Sequence, residues 1–519
     1  MPAYAIALPA RLFGLSASTA FILLLAVSAL LSSLAVFWLL NDVTGNHELA
    51  ASGTLLVLCV GGISAQFGLF GTFIDIPFPV LPFLRRYEPA AAFPLFFGFQ
   101  GLVWRVLTVK GGRGARLQTI LAGLTFTVLV FSYLYLWTAA AAWFASISVL
   151  WLYLRQSMRR RTLAVLTTIS TIMVLGLMPY LYLLSQRPAT LEEQQILLLT
   201  HSPDLLRVHE ILGAAILIAL IVGIQRRRIE RSEPLVIFAA SLALLPFIIF
   251  NQQILTGRSI QAFHYENYVV NYSTMVGLLM TAAVFWQPVS RRLLIWTGGL
   301  ALAWGVIATG LPGRLDSVPS GIIRDKSIPV FMRLKDLSRT DGTIADLRSK
   351  GWSSNLVFSP DVSLTKWLPT WTSQGTLLDQ TGVDCGTMTF EQRKQTFYVH
   401  LYYSRVDSDA LLQALNGTLN PSRKELTSAA GMIFGPARVF PELNSRFRPI
   451  QADEVAREVQ SYQTYANFFS REEAVKRPIA YAVVATADNF DFQNIDRWYE
   501  RDAGERVGDY TLYRLKLRD

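Results

Sequence analysis

"TAFILLLAVSALLSSLAVFWLL", residues 19–40, runs for twenty-two positions without a charge. A helix of about twenty apolar residues spans a hydrocarbon core of roughly 30 Å, and hydrocarbon leaves a chain no other way to satisfy its backbone polar groups except a closed barrel. The run therefore predicts a transmembrane helix. "TLAVLTTISTIMVLGLMPYLYLL" (162–184) repeats the pattern. Runs of this kind recur up to about residue 310, then stop. The expected architecture is mostly α: a polytopic transmembrane helical bundle over 1–312, followed by a soluble α/β domain over 313–519.

Ten spans are predicted, near 19–41, 50–72, 89–107, 118–134, 136–154, 162–184, 209–225, 234–250, 268–287 and 292–310. The net charge of +10 is concentrated in the membrane half, where residues 1–310 hold 20 Lys/Arg against 11 Asp/Glu. Thirteen of those basic residues lie in four short loops, at 108–117, 155–161, 225–233 and 288–292. Short basic loops mark the cytoplasmic side. They explain the charge without nucleic acid, and no nucleic-acid partner is expected. The loops share one side if 118–154 is a tight two-span hairpin with the aromatic tip "YLYLW" (133–137). The longer loops at 73–88, 185–208 and 251–267, and the tail, then face outward. The expected location is a bacterial cytoplasmic (inner) membrane with the C-terminal domain extracytoplasmic, on the periplasmic side of the cell envelope. Counting back places the N-terminus outside with no leader before it, so the natural protein is expected to begin earlier with another span. Cys59 lies in an apolar run and Cys385 in the tail, too few for a disulfide framework or a Cys-based metal site.

The opening "PAYAIALPARLFGLSASTAFILLLAVSALLSSLAVFWLL" (2–40), with a P-x-Y segment, then "LFGLS", then a long span, resembles the C-type glycosyltransferases. The likeness extends to the hairpin "GLTFTVLVFSYLYLWTAAAAWFA" (123–145) and to the tail after the last span. It implies hexosyl or pentosyl transfer from a polyprenyl-phosphate sugar donor to an extracytoplasmic glycan, lipid or protein. In that family the key carboxylate sits in the first outer loop, before the P-x-Y segment. The resemblance therefore implies that the first span, that loop and the catalytic carboxylate lie upstream of Met1.

Such a transfer needs a carboxylate to take the acceptor's proton or hold a divalent metal, and a cationic patch for the phosphate leaving group. "NQQILTGRSIQAFHYEN" (251–267) packs Arg258, His264, Glu266 and five side-chain amides into seventeen positions, far more than a turn needs. Arg258 is the expected phosphate ligand, since its guanidinium matches phosphate in bidentate fashion. Gln253, His264 and Tyr265 complete the lipid-phosphate and sugar site, with Asn251 and Gln252 as further donors. Glu266 and Asp75 are the carboxylate candidates within this chain. The plain alternative is that Arg258 and Glu266 form an ion pair with each other. "LEEQQILLLTHSPDLLRVHEILG" (191–213) reads as an amphipathic helix lying on the bilayer, with His209 and Glu210 as helix-start residues rather than ligands. No residue set with metal-ligand spacing stands out, so no particular cofactor is expected beyond the divalent metal that a carboxylate of the site could hold.

In the tail, strands are expected at 355–359, 375–379, 479–487 and 510–517, the last a half-exposed edge, with a helix at 362–371. No phosphate-binding glycine loop or nucleophile elbow is present, which favours an accessory or acceptor-binding tail. Two other readings of the chain remain: a transporter or flippase for a lipid-linked precursor, and an inactive scaffold that binds a lipid phosphate.

Overall fold

Ser16 opens the first long helix by accepting a hydrogen bond from Thr19 N at 3.1 Å. Gly45 closes it in the left-handed conformation (φ +64°), its N–H reaching Asn41 O at 2.8 Å. Between these caps the uncharged run forms one helix, Ala17–Thr44, preceded by Pro2–Leu12. The computed structural model describes residues 2–61, 81–84, 88–109, 112–156, 159–187, 197–198, 200–260, 262–286, 289–312, 314, 318–340, 356–372, 374–378, 389–418, 423–439 and 449–519. The chain divides into two units, residues 1–186 with 200–317 and residues 187–199 with 318–519.

Among the described residues of the first unit, eight helices are long and apolar enough to cross a membrane. They are Ala17–Thr44, Pro89–Thr108, Leu134–Leu154, Arg159–Ser185, Val208–Gln225, Pro234–Thr256, Glu266–Phe285 and Arg291–Gly310. The spans expected at 50–72 and 118–134 appear as shorter or more polar helices. The first is His47–Leu55, continued by a π-helical turn Leu56–Val60, and residues 62–80 lie outside the described set. The second is Arg113–Val130, whose apolar part is shortened by Arg113, Arg116 and Gln118.

Contacts between helix ends show how these segments alternate. At one end Asp42 forms a two-pronged ion pair with Arg105, which also stacks on Trp38 at 4.8 Å, and Arg161 donates to Val106 O at 3.1 Å. At the other end Trp137 meets Tyr180 at 5.7 Å and Tyr135 stacks on His264 at 4.5 Å. The helix ends that border the four basic loops fall at the Asp42–Arg105 end. In lipid, helices associate through close packing over small residues. Gly213 is such a position, because a Cβ there would lie 2.5 Å from the Ala243 carbonyl oxygen of the neighbouring helix. Trp143, Trp151 and the Phe93–Phe99 cluster fill the bundle centre, and Trp143 Nε1 donates to Ser241 Oγ at 3.0 Å.

The second unit carries a mixed sheet. We label its strands β1 (Leu356–Phe358), β2 (Ile479–Ala485), β3 (Tyr499–Arg501), β4 (Glu505–Val507) and β5 (Tyr510–Leu517). β1 pairs parallel to β2, β2 antiparallel to β5, and β5 antiparallel to both β3 and β4. The expected edge strand 510–517 is thus an interior one. Its alternating pattern reflects one packed and one wetter face, a pattern that edge and interior strands share. The expected strand 375–379 is reduced to a single bridge, Thr376 to Val357, with Asp379 outside the described residues. The helix Val362–Trp371 stands where expected, capped by Asp361, whose carboxylate accepts from Ser363 N at 2.9 Å.

Candidate functional site

The helix Val208–Gln225 begins at Arg207, and Glu210 folds back to accept the Arg207 N–H at 3.1 Å. This fixes Glu210 in the first turn, completely buried, with its other oxygen open to a neighbour. Asn251, just after the helix Pro234–Ile249, fills that place: its Nδ2 donates to Glu210 Oε1 at 2.7 Å and to Asp204 O at 2.9 Å. Its Oδ1 accepts from Asp204 N at 2.8 Å. One amide side chain thereby locks the 200–210 segment to the 251–271 segment.

Charge reinforces the lock. Arg207 Nε donates to Asp204 Oδ2 at 2.6 Å, Nη1 donates to Glu266 Oε1, and the guanidinium lies 4.9 Å over the Phe250 ring. Burial works against the Arg207 charge, but Glu266 and Asp204 outweigh it and hold its pKa above the ordinary arginine value. The ion pair that the sequence offered to Arg258 and Glu266 is therefore made by Arg207 with Glu266. The amphipathic helix expected over 191–213 is also corrected. Residues 200–206 are not helical and the helix starts at Val208, while Glu192 and Glu193 lie outside the described residues.

The remaining sequence candidates are placed as follows. Gln253 is buried in the short helix Gln253–Thr256, and its amide donates to Ser202 O at 3.2 Å. Gly257 ends that helix at φ +68°, and a Cβ there would lie 3.0 Å from His201 Nε2. Only glycine suits both demands. The side chain of Arg258 is exposed just beyond it, its backbone N–H and carbonyl both held by Thr256 Oγ1. His264 stacks on Tyr135 and, at 5.5 Å, on Tyr268. Tyr265 is buried, its hydroxyl 2.9 Å from Thr138 Oγ1, and burial pushes that hydroxyl up to about 12 against the opposing Thr138 bond. Glu266 opens a π-helical turn, Glu266–Val270, a distortion common at functional sites. Below it His209 Nε2 bonds Asn271 Oδ1, while His209 Nδ1 and Asn271 Nδ2 are buried without hydrogen bonds.

The structure thus gathers Gln253, Arg258, His264, Tyr265 and Glu266 at one end of the bundle, but turns them in different directions. Arg258 is exposed, whereas Gln253 and Tyr265 point into the protein. Asp204, Arg207 and Asn271 belong to this shell and were not singled out from the sequence. The signal was present in "HSPDLLRVHE" (201–210), a dense polar stretch directly before an apolar run. Asp75 lies outside the described residues. Among the described residues no group of three or more His, Cys, Asp or Glu is placed to hold a metal. No protein-family model matches this chain, and no curated protein sequence matches it.

Proposed function

We propose that this chain is a membrane glycosyltransferase of the C-type class it resembles, taking a sugar from a polyprenyl-phosphate donor to an extracytoplasmic acceptor. On this reading it lies in a bacterial inner membrane with ten spans and its C-terminal unit on the periplasmic side. The observation that carries the proposal is the Asp204–Arg207–Glu266–Glu210–Asn251 network, built at the helix ends opposite the basic loops. Polar density of this kind at a membrane face is costly unless used. Arg258 is the phosphate ligand in this reading, since its exposed side chain follows directly on the turn at Gly257 and its guanidinium matches phosphate in bidentate fashion.

In the reaction an acceptor hydroxyl oxygen attacks the anomeric carbon, the bond from that carbon to the phosphate oxygen breaks, and a carboxylate takes the hydroxyl proton. Arg258 stabilises the departing polyprenyl phosphate as charge gathers on it. Glu266, at 14% side-chain exposure and bound to Arg207, suits a positioning role; Asp204, at 36%, is the more accessible carboxylate of the network. Asp75 is retained as a candidate base from its place in the sequence. A binding-only scaffold is the second reading, favoured by the inward turn of Gln253 and Tyr265.

The test measures binding of a short-chain polyprenyl phosphate and transfer from its sugar-loaded form in proteoliposomes. Arg258→Ala removes a charge-assisted contact of about 2–3 kcal/mol and is expected to weaken binding roughly thirty- to a hundred-fold. Arg258→Lys recovers part of it, because the ammonium keeps charge but loses the fork. Binding without transfer supports the scaffold. Equal affinity in all three proteins refutes both readings.

A further inference from the structure

A cavity of about 270 Å³ opens on the first unit at the end that carries the basic loops, between His47–Leu55 and Arg291–Pro312. The two helices run parallel: Glu48 meets Arg291 at 3.0 Å, Ser52 meets Thr297 at 3.1 Å, and Gly305 faces Cys59. Both therefore present their N-terminal turns at the cavity mouth. Its walls are apolar or small, formed by Ala51, Leu55, Leu294, Ile295, Gly298 and Gly299. A cavity just below the roughly 300–1,000 Å³ range of ligand sites takes part of one hydrocarbon chain rather than a whole lipid.

We infer that this cleft binds an anionic phospholipid of the surrounding leaflet, one acyl chain lying along Gly298 and Gly299 and the phosphate meeting Arg291 and Arg292. Charge complementarity selects the occupant. Arg291 stands at the mouth of an apolar slot, with Arg292 next to it in the chain, and basic pockets between membrane helices hold anionic headgroups. The two aligned helix N-termini add to the attraction. Glu48 already rests a carboxylate on Arg291, with both side chains largely exposed, at 51% and 76%. Such a pair is weak and yields readily to a phosphate. Glu48 thus occupies part of the anion's place and tunes its affinity.

The experiment uses the full chain in detergent and counts bound phosphatidylglycerol or phosphatidylcholine by native mass spectrometry, with thermal unfolding alongside. Wild type is expected to retain and be stabilised by phosphatidylglycerol in preference to phosphatidylcholine. Each of Arg291→Ala and Arg292→Ala is expected to lower that affinity about five-fold. Glu48→Gln raises it, the opposite of what a purely structural ion pair predicts. Gly299→Leu, at a position where a Cβ meets nothing within 4 Å, fills the slot and weakens retention without unfolding the bundle. Equal retention of the two lipids, or a Glu48→Gln protein that binds no more tightly than wild type, overturns the inference.

Discussion

Replacing Arg207 by Met tests whether the network that joins the 200–210 and 251–271 segments is as integral as its geometry implies. The guanidinium bonds Asp204 at 2.6 Å, bonds Glu266, and covers the Phe250 ring at 4.9 Å. Methionine keeps much of the apolar contact and removes the charge. Asp204 is exposed enough for water to replace its partner, so its loss costs at most about 1 kcal/mol. Glu266 differs, since its carboxylate is only 14% exposed. Stripping the partner from a fully buried carboxylate costs about 3–5 kcal/mol, so a mostly buried one loses about 2–3 kcal/mol. Together with the lost cation–π contact, the total is about 3–4 kcal/mol, a shift in the folding equilibrium of at least a hundred-fold. Adding Glu266→Gln to the Met variant removes the orphaned charge and is expected to restore more than half the loss. Reversible unfolding in mixed micelles, followed by tryptophan fluorescence, measures both variants. A single variant within about 1 kcal/mol of wild type, or a double variant no better than the single, refutes the reasoning.

The buried His400 sits between Phe358 and Phe397, and burial pushes its imidazole down to about 4 although the Glu425 backbone opposes. The unfolded chain protonates near 6.5, so stability is full above about pH 6.5 and falls by about 3 kcal/mol as pH drops to about 4. Hydrogen exchange over 390–403, corrected for intrinsic rates, reads this, and His400→Phe should flatten the profile; matching profiles would count against it. Gly213→Ala drives a methyl into the Ala243 carbonyl and is expected to cost about 1–3 kcal/mol in thermal unfolding, whereas Gly299→Ala, with open space around it, stays within about 0.5 kcal/mol. A reporter active only in the cytoplasm, fused after Asp519, is expected to be silent; a strong signal there reverses the proposed topology.

Much of the helical layout was written locally. Twenty-two uncharged residues must be helical in lipid, and Ser16 and Asn46 mark their helix starts with side-chain oxygens that the neighbouring backbone N–H groups need. The helix 362–371 and the strands near 356, 479 and 510 were legible for the same reason, since cap and period are properties of adjacent residues. The strand 510–517 shows the limit. Its alternation reports which face packs, and only the arrival of β2 on one side and of β3 and β4 on the other made it an interior strand.

The candidate site was only half legible. The sequence marked 251–267 as too polar for a turn, and proximity offered Glu266 to Arg258, eight positions away. The fold pairs it with Arg207, fifty-nine positions away, because the ends of two helices stand side by side and partial burial at that junction leaves Glu266 little water to share its charge. Asn251 looked like a donor for sugar hydroxyls and is instead the clasp between Asp204 and Glu210. Which polar groups face outward and which satisfy one another is decided by long-range packing, where each buried donor must find an acceptor among whatever the neighbouring helix brings. The sequence by itself determined that these segments are long and apolar enough to cross a membrane and where their polar ends lie; the tertiary structure alone decided which of those polar groups Arg207 would claim.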